Sequence, residues 1–106
     1  MPIFQTGAYQ VKASGVARVE NAIREFVDYV KKSEPGSLTY LAWQEKNDPT
    51  KFVHLFIFQD EAAQKHHGQS EAVRRFESVY SPELVGGGVV FTDYVMVAGK
   101  REGRKT

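Results

Sequence analysis

The sequence contains no cysteine among its 106 residues, so it can form neither disulfide bonds nor thiolate metal sites. It also has no apolar run long enough to span a bilayer. The N-terminal segment MPIFQTGAY lacks the charged and long apolar regions of a secretory signal. Together these absences predict a cytoplasmic protein that is not associated with membranes.

An excess of one charge sign is also missing, because the formal net charge is only +1 at pH 7. A chain without a strong basic excess gives no reason to expect nucleic-acid binding. Several of the basic residues lie together near the C-terminus: Lys100, Arg101, Arg104 and Lys105. We therefore predict a single domain over residues 1–98, followed by a basic, flexible tail over residues 99–106.

What is present is the composition of an ordinary globular protein, with 42% hydrophobic and 25% charged residues. A domain of this length buries only a modest core, so oligomerisation would add to its stability. The first half of the chain predicts a strand over residues 4–13 and a helix from Val16 that ends at the SEPG segment, 33–36. Two strands follow at 38–45 and 52–58, joined as a hairpin by the polar KNDPT segment.

In the second half, Asp60 is placed to cap a short helix over residues 61–67, and Ser70 to cap a further helix that Pro82 closes. The final strand is predicted over residues 86–98. Its three leading glycines, 86–88, match no GxxxxGK pattern and precede no helix, so they indicate a hinge or bulge rather than a phosphate-binding loop.

The predicted order β-α-β-β-α-β is that of an α+β, ferredoxin-like fold, a four-stranded antiparallel sheet with helices on one face. Apolar residues nevertheless occupy both faces of the 52–58 strand, where Val53, Leu55 and Ile57 alternate with Phe52, His54, Phe56 and Phe58. The face without helices needs a partner. A second copy packed sheet against sheet is the simplest one, so we predict a homodimer.

Two adjacent histidines, His66 and His67, are the most conspicuous polar pair. Neighbouring residues on a helix diverge by roughly 100°, whereas helical metal ligands are three or four residues apart, so we predict no shared metal ion. The apolar positions Ala63, Val73 and Phe76 indicate that His67 points inward and His66 toward solvent. An inward histidine is either a hydrogen-bonded core residue or a base, and the same alternatives hold for His54.

Aromatic residues make up 12% of the chain, mostly as predicted core or dimer interface. They could also line a pocket for a flat organic ligand. Asp93 lies in register with Val89 and Phe91, and if that face is buried its carboxylate needs a partner.

Residues 52–79 combine an aromatic at a strand end, an acidic turn, a small-residue helix ending in histidine, a polar turn and a helical phenylalanine. The residues at these places are Phe58, Asp60, Ala62, Ala63, His67, Ser70 and Phe76. This pattern resembles the antibiotic biosynthesis monooxygenase family of small dimeric α+β barrels, and the likeness extends over about residues 5–98. The chain departs from the family at Phe56, often acidic, at Phe58, often tryptophan, and at Ala72, often histidine.

The resemblance implies a cofactor-independent monooxygenase that uses no metal and acts with O₂ on a small hydroxyaromatic or quinol-like substrate. It implies His67 as the catalytic base or hydrogen-bond partner, and the candidate pocket walls are Trp43, Phe56, Phe58, Phe76 and Tyr94. The alternative is a non-catalytic dimeric barrel that binds a small apolar metabolite. Haem-degrading relatives use an asparagine, a tryptophan and a histidine where this chain has Ala8, His67 and Glu77, so haem degradation is not expected.

Overall fold

The fold is that of a ferredoxin-like α+β domain, as a computed structural model of the chain shows for residues 1–100. Its main elements are β1 (Ile3–Val11), α1 (Val16–Ser33), β2 (Ser37–Gln44), β3 (Lys51–Phe58), α2 (Glu61–Gly68), α3 (Glu71–Tyr80) and β4 (Leu84–Tyr94). Short 3₁₀ turns occupy Ala13–Gly15 and Ser81–Glu83. The predicted fold class is confirmed, while most of the predicted tail, residues 99–106, lies outside the described residues.

The four strands form one antiparallel sheet in the order β2-β3-β1-β4. Because side chains alternate along each strand, the sheet has an inner face toward the helices and an outer face away from them. The inner face carries Tyr9, Val11, Tyr40, Ala42, Phe52, His54, Phe56, Phe58 and Val89. The outer face carries Leu41, Trp43, Val53, Leu55, Ile57, Val90 and Tyr94.

Helix α1 is amphipathic and covers the inner face. Its buried residues Val19, Ile23, Phe26 and Val30 recur at steps of three and four positions, so they form one stripe. This stripe packs with Tyr9, Val11 and Phe52 of the sheet and with Phe76 of α3, whose ring stacks on Phe26 at a centroid distance of 5.0 Å. None of the helices in residues 1–100 is long and apolar enough to cross a lipid bilayer.

Both predicted helix caps are confirmed. Asp60 accepts a hydrogen bond from the backbone N–H of Ala63 at 2.9 Å, and Ser70 Oγ accepts one from Val73 at 3.1 Å. These side chains satisfy backbone donors that a helix leaves unpaired at its start. As a result α2 and α3 are two separate short helices, joined by Gln69 and Ser70.

Two strands, β1 and β4, differ from the prediction by more than one residue at an end. β1 ends at Val11 rather than residue 13, because Ala13–Gly15 turns into α1. β4 runs over Leu84–Tyr94 rather than residues 86–98. Its last pairing is Tyr94 with Phe4, and β1 itself begins at Ile3, so within residues 1–100 the strand beside β4 extends only one residue past this pair.

The glycine triplet forms a β-bulge, which confirms one of the two predicted alternatives. Gln10 of β1 pairs with Val85 and Ala8 pairs with Val90, so β4 inserts Gly86–Gly88 where β1 advances by two residues. All three glycines have positive φ values of 75°, 102° and 98°, which other residues rarely adopt. Beyond the bulge, β4 continues to pair with β1 from Val90 to Tyr94.

Candidate functional site

A cavity lies between the inner face of the sheet and the helices, and it has two connected parts. The inner chamber has a volume of about 80 Å³, and the outer chamber, of about 490 Å³, opens beside α3 and β4. The residues that line both chambers are Phe56, His67, Val73, Tyr80, Val89 and Phe91. Aromatic rings dominate these walls, which suits a flat apolar ligand.

The inner chamber is lined by a row of three hydrogen-bonded side chains, Tyr9, His54 and Tyr40. The hydroxyl of Tyr9 lies 2.8 Å from Nε2 of His54, and the hydroxyl of Tyr40 lies 2.9 Å from Nδ1. His54 is only 2% exposed, in the middle of β3. Both ring nitrogens are therefore occupied by phenolic hydroxyls, and we call this group the tyrosine–histidine triad.

Burial fixes the protonation state of the triad. It lowers the pKa of His54 to about 4, because desolvation disfavours the imidazolium. Burial also raises the pKa of Tyr9 and of Tyr40 well above the ordinary phenol value. Near neutral pH the triad therefore consists of a neutral imidazole between two protonated phenols.

His67 forms a second polar group in the wall of the cavity. Its Nδ1 lies 2.7 Å from Oε1 of Glu34, and Ser37 donates its hydroxyl to the same oxygen at 2.9 Å. In the described part of the chain, Nε2 of His67 has no hydrogen-bond partner. With Nδ1–H held by a carboxylate, Nε2 carries the lone pair and can accept a proton.

The backbone around Gly36 explains how His67 reaches Glu34. Gly36 O accepts a hydrogen bond from Gln59 N at 2.8 Å, which joins the start of β2 to the end of β3. A Cβ at Gly36 would lie 2.6 Å from the Cβ of Ala63, so only glycine lets α2 approach this closely. That approach places the last turn of α2, and with it His67, over the end of α1.

The two adjacent histidines differ in exposure as predicted. His66 is exposed, whereas the side chain of His67 is only 11% exposed. The imidazole of His67 lies 5.2 to 6.1 Å, between ring centroids, from four aromatic rings: Phe26, Tyr40, Phe56 and Phe58. His67 is therefore desolvated on its aromatic sides and paired with a carboxylate on another.

Glu34 is an unusual residue for a protein interior. It is 3% exposed, and its second oxygen, Oε2, has no hydrogen-bond partner in residues 1–100. A buried carboxylate with one unpaired oxygen costs free energy, so its contact with His67 is weak evidence for a stabilising role. The arrangement is more readily understood as a device that orients His67 than as a contribution to stability.

The predicted pocket residues divide between the two faces of the sheet. Phe56 and Phe76 line the inner chamber, and Phe58 lines the outer one. Trp43 and Tyr94 do not reach the cavity: they lie on the outer face and are 52% and 53% exposed. The alternation of side chains along β2 and β4 decides this, since Trp43 pairs with Val53 and Tyr94 with Phe4.

Sequence reasoning missed the polar partners of the two inward histidines. Tyr9, Tyr40 and Glu34 come from β1, β2 and the end of α1, so no local spacing connects them to His54 or His67. Inward alternation with His54 could have indicated Tyr40 once the hairpin register was known. Glu34 follows the end of α1 and precedes Pro35, and nothing in this local sequence indicates that its carboxylate contacts His67.

Asp93 does not take part in this site. It is exposed, so its carboxylate does not need the partner that burial would have required, although its Oδ1 accepts a hydrogen bond from Nε2 of Gln5 at 2.9 Å. Residues 1–100 contain no group of three or more histidine, aspartate or glutamate side chains placed to hold a metal ion. The polar groups that could contact a bound ligand are the triad, His67 and Tyr80 in the inner chamber, together with Gln5, Gln64, Glu77 and Ser81 in the outer one.

Solved structures resemble this chain closely in fold. A candidate antibiotic biosynthesis monooxygenase from Bacteroides thetaiotaomicron superposes with a TM-score of 0.86 at 17% identity, covering 97% of this chain and 96% of that one. Proteins described in the same way from Caulobacter crescentus and Nitrosomonas europaea give TM-scores of 0.79 and 0.83 at 23% and 16% identity. Their coverages are 90% and 91% of this chain, and 91% and 90% of theirs. At these identities the likeness shows the fold alone.

Family membership is shown by comparison of the sequence rather than of the fold. No curated protein sequence matches the chain. The sequence model of the antibiotic biosynthesis monooxygenases, however, matches residues 2–78, which is well over half of the chain and includes His54, His67 and their partners. The chain therefore belongs to the antibiotic biosynthesis monooxygenase family.

Proposed function

We propose that this protein is a cofactor-independent monooxygenase that oxidises a small hydroxyaromatic or quinol-like substrate with O₂. The observation that carries the proposal is the His67–Glu34 pair in the wall of an aromatic cavity, with Nδ1 and Oε1 2.7 Å apart. A histidine oriented by a buried carboxylate is a suitable base for a phenolic proton. Membership of a monooxygenase family supports the same reaction class.

The reaction needs no external reductant. A quinol that loses its phenolic proton to Nε2 of His67 becomes an electron-rich anion, which can transfer an electron to O₂. Recombination forms a carbon–oxygen bond, and loss of water then leaves a hydroxyquinone. One oxygen atom enters the ring and the other leaves as water, so the substrate supplies all four electrons that O₂ accepts.

The surroundings of His67 favour this chemistry in three ways. The four rings around the imidazole exclude water, so the phenolate and the reduced oxygen species do not exchange freely with solvent. Phe26, Phe56 and Phe76 offer apolar surface on which a flat ring can stack. The carboxylate of Glu34 stabilises the imidazolium that forms when His67 takes the proton.

The test is oxygen uptake. Protein treated with a chelator and free of flavin should consume one O₂ per substrate molecule when offered a series of quinols and hydroxynaphthalenes in an oxygen electrode. The same solutions without protein provide the rate of autoxidation. Binding of these compounds without any oxygen uptake above that rate would favour the non-catalytic barrel, and activity only after a metal or flavin is added would contradict cofactor independence.

We further propose a homodimer that covers the outer face of the sheet. The three helices lie on the inner face and leave the outer face uncovered. The exposed fractions of its apolar residues Leu41, Trp43, Val90 and Tyr94 are 43%, 52%, 63% and 53%. Apolar surface of this extent on one face is typical of a protein interface. Packing of two outer faces would form a closed barrel and give each protomer the buried area that a domain of this length lacks.

Light scattering at micromolar concentration should therefore give twice the 12.0 kDa chain mass. Leu55→Asp, at the centre of the outer face, should shift the protein toward monomer because it introduces a charge into the interface. Val79→Asp is the matched control, since Val79 is a half-buried residue of α3 on the helical side. A native protein that remains monomeric, or equal dissociation of the two variants, would contradict the dimer.

A further inference from the structure

The tyrosine–histidine triad has one more polar hydrogen than it has internal hydrogen bonds. A neutral imidazole carries one N–H donor and one bare acceptor nitrogen, and each phenol carries one O–H. The triad therefore contains three polar hydrogens but only two internal hydrogen bonds, at 2.8 Å and 2.9 Å. One phenol donates to the bare nitrogen, the imidazole N–H donates to the other phenol, and the hydrogen of that second phenol is unused.

The unused hydrogen has no acceptor among the described residues. Neither tyrosine hydroxyl has a hydrogen-bond partner in residues 1–100 other than His54. Tyr9 and Tyr40 both line the inner chamber, and Tyr9 is only 8% exposed. Since the rest of that chamber is lined mainly by aromatic and aliphatic side chains, the free phenolic O–H is a specific polar feature of an apolar wall.

We propose that this phenolic hydroxyl binds an oxygen atom of the ligand, a ring carbonyl or a phenolate, and so selects oxygenated aromatic rings over plain hydrocarbons. The donor comes from Tyr9 in one tautomer of His54 and from Tyr40 in the other. The triad thus offers one donor that can move between two positions without any side chain moving. The inner wall accepts an oxygen atom at either position, which suits a ring that changes from quinol to quinone.

The chemistry of the neighbouring residues agrees with this assignment. The imidazole stays neutral near pH 7 because its pKa is lowered to about 4, so it does not donate to both phenols at once. The imidazole of His67 lies 5.6 Å from the ring of Tyr40, between centroids. A single aromatic ligand can therefore meet the base at one oxygen and the phenolic donor at another.

This inference deepens the proposed function, since it names the group of the substrate that is recognised, but it is tested by binding alone. The probes are 1,4-naphthoquinone, which has carbonyl acceptors, and naphthalene, which has the same ring skeleton and none. Binding is measured without oxygen, so a failure here is separate from a failure of oxidation. The chain has no cysteine, so no thiol can add to the quinone.

The main variant replaces Tyr9→Phe, His54→Phe and Tyr40→Phe together. Removing all partners at once leaves no buried polar group unpaired, which is better tolerated than removing one. We expect the Kd for naphthoquinone to rise about tenfold, the scale of one buried hydrogen bond, while the Kd for naphthalene changes little. Tyr29→Phe is the matched control, because it removes one phenolic hydroxyl from a half-buried tyrosine of α1 that lines neither chamber.

An unchanged ratio of the two Kd values in the triple variant would overturn the proposal, as would an equal change in Tyr29→Phe. An infrared measurement on the native protein covers the case in which the triple variant does not fold. The carbonyl stretch of bound naphthoquinone should lie at lower frequency than in an apolar solvent, because a donated hydrogen bond weakens the C=O bond. An unshifted stretch, or no binding up to the solubility limit of the quinone, contradicts the assignment.

Discussion

Replacing His67 with alanine should lower the turnover of the oxidised quinol by roughly a hundredfold or more, the usual scale for the loss of a general base. The variant keeps the aromatic walls of the cavity but removes the group that takes the phenolic proton. It also leaves the buried carboxylate of Glu34 without its imidazole partner, with only the hydroxyl of Ser37 still donating to Oε1. Turnover is measured as initial oxygen uptake at saturating substrate.

His66→Ala is the matched control, because it removes the same side chain from the same helix at an exposed position. It should leave turnover and stability almost unchanged. Thermal unfolding of both variants separates catalysis from folding. If both keep full turnover while His67→Ala alone lowers the melting temperature, His67 is a packing residue and the assignment of the base is wrong.

Acidification from pH 7 to pH 4 should destabilise the protein by about 3 kcal/mol through His54 alone. Its pKa is about 4 in the folded protein against an ordinary value of 6.5, because burial disfavours the charged ring. Between these two values the unfolded chain binds a proton that the folded protein does not. Lowering the pH therefore favours unfolding, and the contribution of His54 to stability is complete above about pH 6.5 and lost on approach to pH 4.

Urea unfolding at several pH values between 7 and 4 measures this loss. His54→Gln is the reference variant, because glutamine can donate and accept hydrogen bonds but does not titrate in this range. Carboxylates titrate in both proteins, so the difference between the two stability curves isolates His54. Parallel curves for the native protein and His54→Gln would show that His54 is not desolvated, and would contradict the neutral triad.

Local chemistry made much of the fold predictable. The apolar stripe of α1, the caps at Asp60 and Ser70, and the glycine bulge follow from short-range spacing and backbone preference. The extent of β4 could not be predicted, because VMVA after Tyr94 has the composition of a strand, whereas β1 within residues 1–100 ends one residue beyond the pairing of Tyr94 with Phe4. Pairing depends on where β1 begins, which the local sequence of β4 does not contain.

The candidate site was likewise predictable only in part from the sequence. The inward orientation of His67 was evident from the helix period, since Ala63, Val73 and Phe76 mark the buried side. The partners of the histidines were not evident, because Glu34 is 33 residues from His67 and Tyr9 is 45 residues from His54. Trp43 and Tyr94 carried a strong aromatic signal but were wrong candidates for this cavity, since strand register places them on the outer face.

The sequence by itself determined the alternation and periodicity of each element, and hence a ferredoxin-like sheet with an aromatic interior and an inward His67. Only the tertiary structure decided that His54 lies between two phenols and that His67 is held by Glu34. The physical reason is that propensity and caps act within a few residues, whereas a buried hydrogen bond requires atoms from distant strands to meet within about 3 Å. Register and helix approach set those distances, here through the pairing of β1 with β3 and the contact of Gly36 with Ala63.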